Sequence, residues 1–413
     1  GFCMATGVAA FLSSLPFTVS LFHLFSPVSI LANLLIVPLS SLALAACAAS
    51  LLISPLWPDL AAVFNASAWL WMHLMVALSR AFAGMPGGVW YVAAPPPLVW
   101  IPYGVLLLVV AGVRMPWIVF PGPVGRGMAL VAAAAVAVVG LWRADPRGVR
   151  ITCLPGGDAI VVDGPGRRRD LVVNTGGVRS GPGLVTPFLR ARGWNSVPLL
   201  VLAQPDAARL GDAAGFLRRF RPGLVAASGR RQRSPAFRDA LAAADTLGIP
   251  VRDLAAGDLL CGWTVLNPPA GGPVRSADEA SVAMIAAWHG VRVLLLSNPG
   301  RKAQRGMLDR LGGTGSLRAD VVVLGVSRDQ DVLLPELLEA VRPQLIVLTT
   351  AAVPATARAR PELRERLLVT GIPAYFTEDG GALELEFGGG GVVLRRGDEV
   401  LHRCSKTAAG WVR

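Results

Sequence analysis

The sequence predicts a multi-span α-helical membrane domain over residues 1–146, followed by a layered α/β domain over residues 147–413. Three observations carry this expectation. Of the 39 Lys and Arg residues, only Arg80, Arg114, Arg126 and Arg143 precede residue 147, with Asp59 and Asp145 as their acidic counterparts. The same stretch holds apolar runs near the length of about 20 residues that a bilayer requires. Beyond it, short Val/Leu/Ile runs alternate with helical stretches, the pattern of a sheet covered on both faces.

Composition supports the division. Hydrophobic residues make up 53% of the chain and charged residues 16%, where a soluble domain carries about 25% charged residues. That excludes a fully soluble or disordered chain. Glycine has no period, which excludes collagen. Cys3, Cys47, Cys153, Cys261 and Cys404 are scattered without a CxxC pair, so neither a disulfide framework nor a zinc knuckle is expected. The net charge is +12, which invites a nucleic-acid or anionic-membrane reading. Only Lys302 and Lys406 are lysines, against 37 arginines. A GC-rich coding sequence alone produces that bias.

The chain opens at Gly1 inside an apolar stretch with no charged n-region. It is read as the C-terminal portion of a longer membrane protein rather than as a signal peptide. Ser29–Pro55 is free of charge and is the first clear span. Leu60–Ser79 is the second, with Asn65 and His73 as polar members. Leu98–Val113 and Met128–Trp142 are shorter candidates. Phe2–Phe22, interrupted by Pro16, is either a span or a re-entrant segment. Pro38 lies mid-span, where it kinks a helix and frees a carbonyl, and Asn33 lies about a turn and a half earlier. Polar groups at that depth face a protein interior or a wet path. The basic residues place Arg114 and Arg126 on one side of the bilayer, and Arg80, Arg143, Arg147 and Arg150 on the other. The positive-inside rule then puts the α/β domain in the cytoplasm.

Residues 22–38, FHLFSPVSILANLLIVP, and residues 85–97, MPGGVWYVAAPPP, are similar to signature segments of the ComEC family, the competence membrane proteins that carry transforming DNA across the bacterial inner membrane. The resemblance implies a multi-pass inner-membrane protein, single-stranded DNA as partner beside the lipid bilayer, contacts with other competence proteins, and an α/β domain on the outer face. It makes Asn33 and Pro38 candidates for the DNA path.

In the second domain, GGDAIVV (156–162), LVVNTGG (171–177), TPFLRARGWNSVPLLVLAQPD (186–206), LNPP (266–269), RVLLLSN (292–298), ADVVVLG (319–325) and FTEDGGALEL (376–385) resemble, in order, the metallo-β-lactamase-like domain of that family. The resemblance implies a four-layer αββα fold. It also implies a two-metal loop of the form Ser-His-x-Asp-x-Asp-His, and the matching residues here are AQPDAAR. Gln204 stands at the first His, Ala208 at the second Asp and Arg209 at the second His, so that only Asp206 survives. Asn174 stands at a supporting Asp, Asn298 at another ligand Asp, Val326–Arg328 at His-His-Gly, and Arg360 at a late His. Two histidines, His289 and His402, remain in the domain and match none of these positions. Zinc needs three or four N, S or carboxylate ligands, so no metal or other cofactor is expected, and no catalytic residue is assigned. Asp206 is read as a helix N-cap.

Three basic clusters remain as DNA-contact candidates: Arg167, Arg168 and Arg169 at a hairpin tip; Arg218, Arg219 and Arg221 at a helix end; and the Gly229–Arg233 run. The expected function is a DNA-uptake channel component with an inactive α/β domain. A metal-dependent nuclease with a shifted site, and a membrane pseudoenzyme with a binding role, are the alternatives.

Overall fold

The computed structural model describes residues 2–85, 87–110, 148–156, 158–177, 184–228, 234–271, 279–326, 332–352, 355, 358–407 and 410–412. The expected span Met128–Trp142, the end of Leu98–Val113, and the Gly229–Arg233 cluster lie outside them. The chain divides into two compact units, residues 1–145 with 189–195, and residues 146–188 with 196–413.

In the first unit, α2 (Val28–Ile53) and α3 (Pro58–Ala83) are the two helices long and apolar enough to cross a membrane among the described residues. Their seam is made of small residues. Ala32, Ala43, Ala46 and Ser50 of α2 and Ala61 and Ala68 of α3 are buried, which lets two backbones approach closely in lipid. Ser50 Oγ donates to the Ala61 carbonyl at 3.0 Å. Asp59 sits in the first turn of α3 and Arg80 in its last, each matching the helix dipole.

Helix α1 (Phe2–Phe22) runs through Pro16 without a break. The sequence leaves a span or a re-entrant segment open here, and the carbonyl that Pro16 frees finds another donor. Proline at 16 deprives the Leu12 carbonyl of its helical donor. Tyr103 of α4 (Trp100–Val110) supplies another, its hydroxyl donating to Leu12 O at 2.8 Å. Trp100 Nε1 also donates to Ser20 Oγ at 3.0 Å. Helix α2 likewise continues through Pro38.

The two segments that carry the family resemblance meet in space. β1 (Leu24–Phe25) pairs antiparallel with β2 (Trp90–Tyr91). Ser26 Oγ donates to the Gly88 carbonyl at 2.8 Å. Gly88 lies so close to Val28 and to the Phe82 and Met85 carbonyls that a side chain there would meet all three within 3.2 Å. The Phe-Ser-Pro element and the Gly-Gly element are therefore two halves of one turn assembly, which closes the ends of α1, α2, α3 and α4.

The second unit is built on two mixed sheets. Besides the strands whose ranges follow, they contain β3 (Val149–Cys153), β4 (Ile160–Asp163), β9 (Leu259–Leu260), β10 (Trp263–Asn267), β11 (Ala283–Trp288), β16 (Leu383–Gly388), β17 (Gly391–Arg396), β18 (Glu399–Thr407) and β19 (Gly410–Val412). One runs β19-β18-β17-β16-β3-β4-β5-β6-β7-β8 and the other β15-β14-β13-β12-β11-β10-β9. In the first, β5 (Leu171–Val173), β6 (Leu199–Leu202), β7 (Leu224–Ala227) and β8 (Val251–Asp253) are parallel. In the second, β12 (Val291–Leu296), β13 (Val321–Gly325), β14 (Leu345–Thr349) and β15 (Ala374–Phe376) are parallel. Alternate residues such as Ile151, Val162, Val173 and Val201 of one sheet and Val265, Met284, Val293 and Val323 of the other share one core. The intervening residues of the seven-stranded sheet, among them Leu294, Val322 and Ile346, bury against Met307, Leu337 and Leu363 of flanking helices. Helices Ala213–Phe220 and Pro235–Thr246 bury Phe216, Phe220 and Phe237 in the same unit. Both sheets are thus the core of a layered α/β domain.

The Val/Leu/Ile runs form strands, as at β6 and β14. The stretch after β6 forms two helices, Ala207–Leu210 and Ala213–Phe220, because Gly211 donates its N–H to Gly176 O at 2.9 Å and Asp212 restarts the helix. Strand β11 (Ala283–Trp288) forms although its alanines carry no strand signal. Trp288 packs edge-on against Trp263 of β10 (Trp263–Asn267) at 4.9 Å.

Candidate functional site

The chemistry gathers where the parallel strands β5 and β6 end. The turn after β5 holds Asn174, the loop after β6 runs from Ala203 to the Ala207–Leu210 helix, and Asp158 lies just before β4 (Ile160–Asp163). This loop is laced back onto the sheet. Thr175 N–H donates to Arg209 O at 3.2 Å, and the Asn174 N–H to Val201 O at 2.9 Å. Open α/β sheets bind ligands at this end of their strands.

At the centre is Arg209, 8% exposed. Its Nε donates to Asp158 Oδ2, its Nη1 to Asp206 Oδ2 at 2.9 Å, and its Nη2 to the Val326 carbonyl at 3.0 Å. Asp158 is 5% exposed, and its other oxygen accepts from Thr349 Oγ1 at 2.8 Å. A Cβ on Gly325 would overlap that carboxylate, so glycine is required there by close approach. Asn174, fully buried, acts as a strut. Its Oδ1 accepts from Ala203 N at 3.0 Å, and its Nδ2 faces Asp158 O at 3.2 Å and Ser297 Oγ at 3.3 Å. A carboxylate could accept the first bond but donate neither of the others, which explains the amide at this position.

Asp158, Asn174 and Asn298 all adopt left-handed backbone conformations, with φ of 51°, 56° and 63°. Such conformations in non-glycine residues cluster at built sites, and Asx residues tolerate them best. The Asn298 side-chain oxygen is buried at 2% exposure and has no hydrogen-bond partner among the described residues.

The donor chemistry does not fit a dinuclear metal centre. Both carboxylates are engaged by the guanidinium, which is always charged. No group of three or more His, Cys, Asp or Glu that could hold a metal occurs among the described residues. Of the degenerate loop positions, Arg209 and Asp206 are brought together, Gln204 is buried in the same loop, and Asn298 follows Ser297 of the network. Ala208 belongs to the short helix, and nothing further is described of its side chain. Asp206 does precede that helix, and its carbonyl accepts from Arg209 N and Leu210 N at 3.0 Å each. Its carboxylate also holds Arg209, a role beyond the expected N-cap. Asp158, Thr349 and Gly325 escape the sequence reading. A buried arginine requires a carboxylate, and that requirement was the signal for Asp158.

His402 Nε2 lies 2.8 Å from Cys404 Sγ, because residues two apart on β18 (Glu399–Thr407) point to one face. Cys404 is buried in the core between the sheets and is not a presented nucleophile. Burial likewise pushes the Cys153 thiol far above its usual range.

The basic clusters lie elsewhere. Arg167–Arg169 precede β5 and Arg218–Arg221 precede β7. Because β5, β6 and β7 are parallel, both clusters sit at the N-terminal ends of these strands, opposite the Arg209 network. Arg168, Arg169, Arg218, Arg219 and Arg221 are exposed. In the membrane-like unit, Asn33 and Pro38 are both exposed on α2, off its small-residue seam with α3.

The model of the competence protein family matches residues 2–117. The stretch that packs α1 to α4 around the β1–β2 turn is therefore the part of the chain that is similar to the competence family, as its motifs imply. Among solved structures, the chain is similar to Igni18, a metallo hydrolase from the hyperthermophilic archaeon Ignicoccus hospitalis, at 15% identity over 58% of this chain and 99% of that one, with a TM-score of 0.39. It is also similar to a mutant of the CmlA beta-hydroxylase, at 12% identity over 72% of this chain and 64% of that one, with a TM-score of 0.38. No curated protein matches the sequence.

Proposed function

We propose that the chain is part of a multi-pass bacterial inner-membrane component of DNA uptake, which passes one DNA strand through its membrane unit and carries a metallo-β-lactamase-like domain that does not cut DNA. The observation that carries this reading is the competence-family match over residues 2–117. The charge-free α2 and the apolar α3 support a membrane location. Asn33, on a face of α2 that α3 leaves open, is suited to line a wet path, since polar groups at that depth avoid lipid. Single-stranded DNA, the bilayer and other competence proteins are the partners this reading requires.

Expression of the gene in a transformable bacterium that lacks its own competence channel should restore transformants. Normal membrane levels with none restored would overturn the proposal. The change Asn33→Leu should then reduce DNA uptake at least about tenfold without lowering protein level, as expected for loss of a path-lining polar group. Unchanged uptake removes Asn33 from the path.

The paired Arg209 favours one further reading, a membrane pseudoenzyme whose α/β domain binds a partner. Salt-dependent binding of single-stranded DNA by the purified chain separates the two. A shifted-site nuclease is disfavoured by the same residues, and metal-dependent cleavage abolished by a chelator would reinstate it.

A further inference from the structure

We propose that Arg209 is the resident cation of the α/β domain: its guanidinium does the structural work of a bound metal ion, so the fold is independent of divalent metal. Three chain segments meet at this group. Asp158 comes from the turn before β4, Asp206 from the loop after β6, and the Val326 carbonyl from the end of β13. The planar fork suits the task, because Nε, Nη1 and Nη2 point in different directions and each reaches a different segment. A lysine ammonium could not reproduce that geometry.

The surroundings are built around the pair. Thr349 Oγ1 holds the second oxygen of Asp158 at 2.8 Å, and Gly325 leaves the space that the carboxylate occupies. With the guanidinium removed, the two carboxylates would remain together, that of Asp158 buried and that of Asp206 open to solvent. An uncompensated buried charge of this kind is strongly destabilising. A divalent cation is the natural replacement, since hard cations take carboxylate and carbonyl oxygens. The cation's place in this fold is thus filled by the chain itself. This inference rests on the Arg209 network alone and stands whether or not the protein moves DNA.

The test is thermal unfolding of the full chain in detergent, with Mn²⁺ or excess EDTA. The wild type should melt at the same temperature in both. Arg209→Ala should melt roughly 10 °C lower in EDTA, and Mn²⁺ should recover several degrees of that loss. The double variant Asp158→Asn with Arg209→Met removes both buried charges and should melt well above Arg209→Ala. This double variant also decides the matter if the single one does not accumulate. A wild type stabilised by Mn²⁺ or weakened by EDTA would overturn the proposal. So would an Arg209→Ala protein that melts like the wild type or ignores Mn²⁺, or a double variant no better than the single one.

Discussion

The two ends of the β5–β6–β7 strands use arginine in opposite ways. At the C-terminal end, Arg209 is buried and holds Asp158, Asp206 and a carbonyl. At the N-terminal end, Arg168, Arg169, Arg218, Arg219 and Arg221 reach into solvent. The composition that supplies 37 arginines does not distinguish them; the environment does. A buried guanidinium must be satisfied at every donor, and so acts as a structural hub. An exposed one is worth little to the fold and is available to a phosphate. Stability should therefore respond to changes at the first end, and binding to changes at the second.

The largest effect should come from Gly325→Ala. The added methyl overlaps the Asp158 carboxylate while the backbone there is compatible with alanine. The substitution must either displace Asp158 from Arg209 or strain β13, at about 3 kcal/mol. Denaturant unfolding of the chain checks this. Loss of less than about 0.5 kcal/mol would show that the carboxylate moves aside freely and that the hub is looser than its contacts indicate.

Much of this was legible beforehand and some was not, for identifiable reasons. The change from a charge-poor to a charge-rich stretch near residue 146 is read from composition alone. Strands such as β6 and β13 follow from unbroken apolar runs, since both their faces are buried. The misfit of Arg209 to a metal loop was also legible, because it needs only the identity of a residue in a local motif. Its partner Asp158 was not, being 51 residues away and brought near only by the pairing of β4 with β5. Gly325 was hidden for the same reason. The common location of the two basic clusters depends on parallel register, which no local pattern encodes. The Phe-Ser-Pro and Gly-Gly motifs were legible as a resemblance, but their pairing through β1 and β2 required the fold.

A smaller effect is expected from Thr349→Val. It deletes the hydroxyl that holds Asp158 Oδ1 at nearly constant shape, at about 2 kcal/mol for a bond to a charged group. Combined with Gly325→Ala the losses should fall short of additive, because both act on one carboxylate. Full additivity would mean that two independent sites are being read. Asp212 should show less still. Its carboxylate lies over the first turn of the following helix, where a Cβ on Gly215 would overlap it, and burial raises its pKa above the ordinary carboxylate range. Folding thus favours its protonated form. That contribution is full below the ordinary range and is lost as pH rises through the raised value. Asp212→Asn removes the titration at nearly constant shape and should flatten the decline, shifting melting by no more than about 2 °C above it. Identical pH profiles would refute the assignment.

The smallest effect on the fold should come from the opposite end of the strands. Changing Arg168, Arg218 and Arg219 together to Gln should leave stability within about 0.5 kcal/mol, because all three are exposed. Binding should change instead. If these residues contact the phosphates of single-stranded DNA, each lost contact lowers the slope of log affinity against log salt by about 0.7, or about 2 for the three. The affinity of the variant should then fall most at low salt, where counterion release contributes most. Arg209→Lys is the matching control, since it keeps the charge at the C-terminal end of the strands and should leave the slope untouched while lowering stability. A triple variant with the wild-type slope would mean that the exposed arginines reflect composition alone. A slope altered by Arg209→Lys would move the anionic partner to the C-terminal end of the strands and reverse the division drawn between the two.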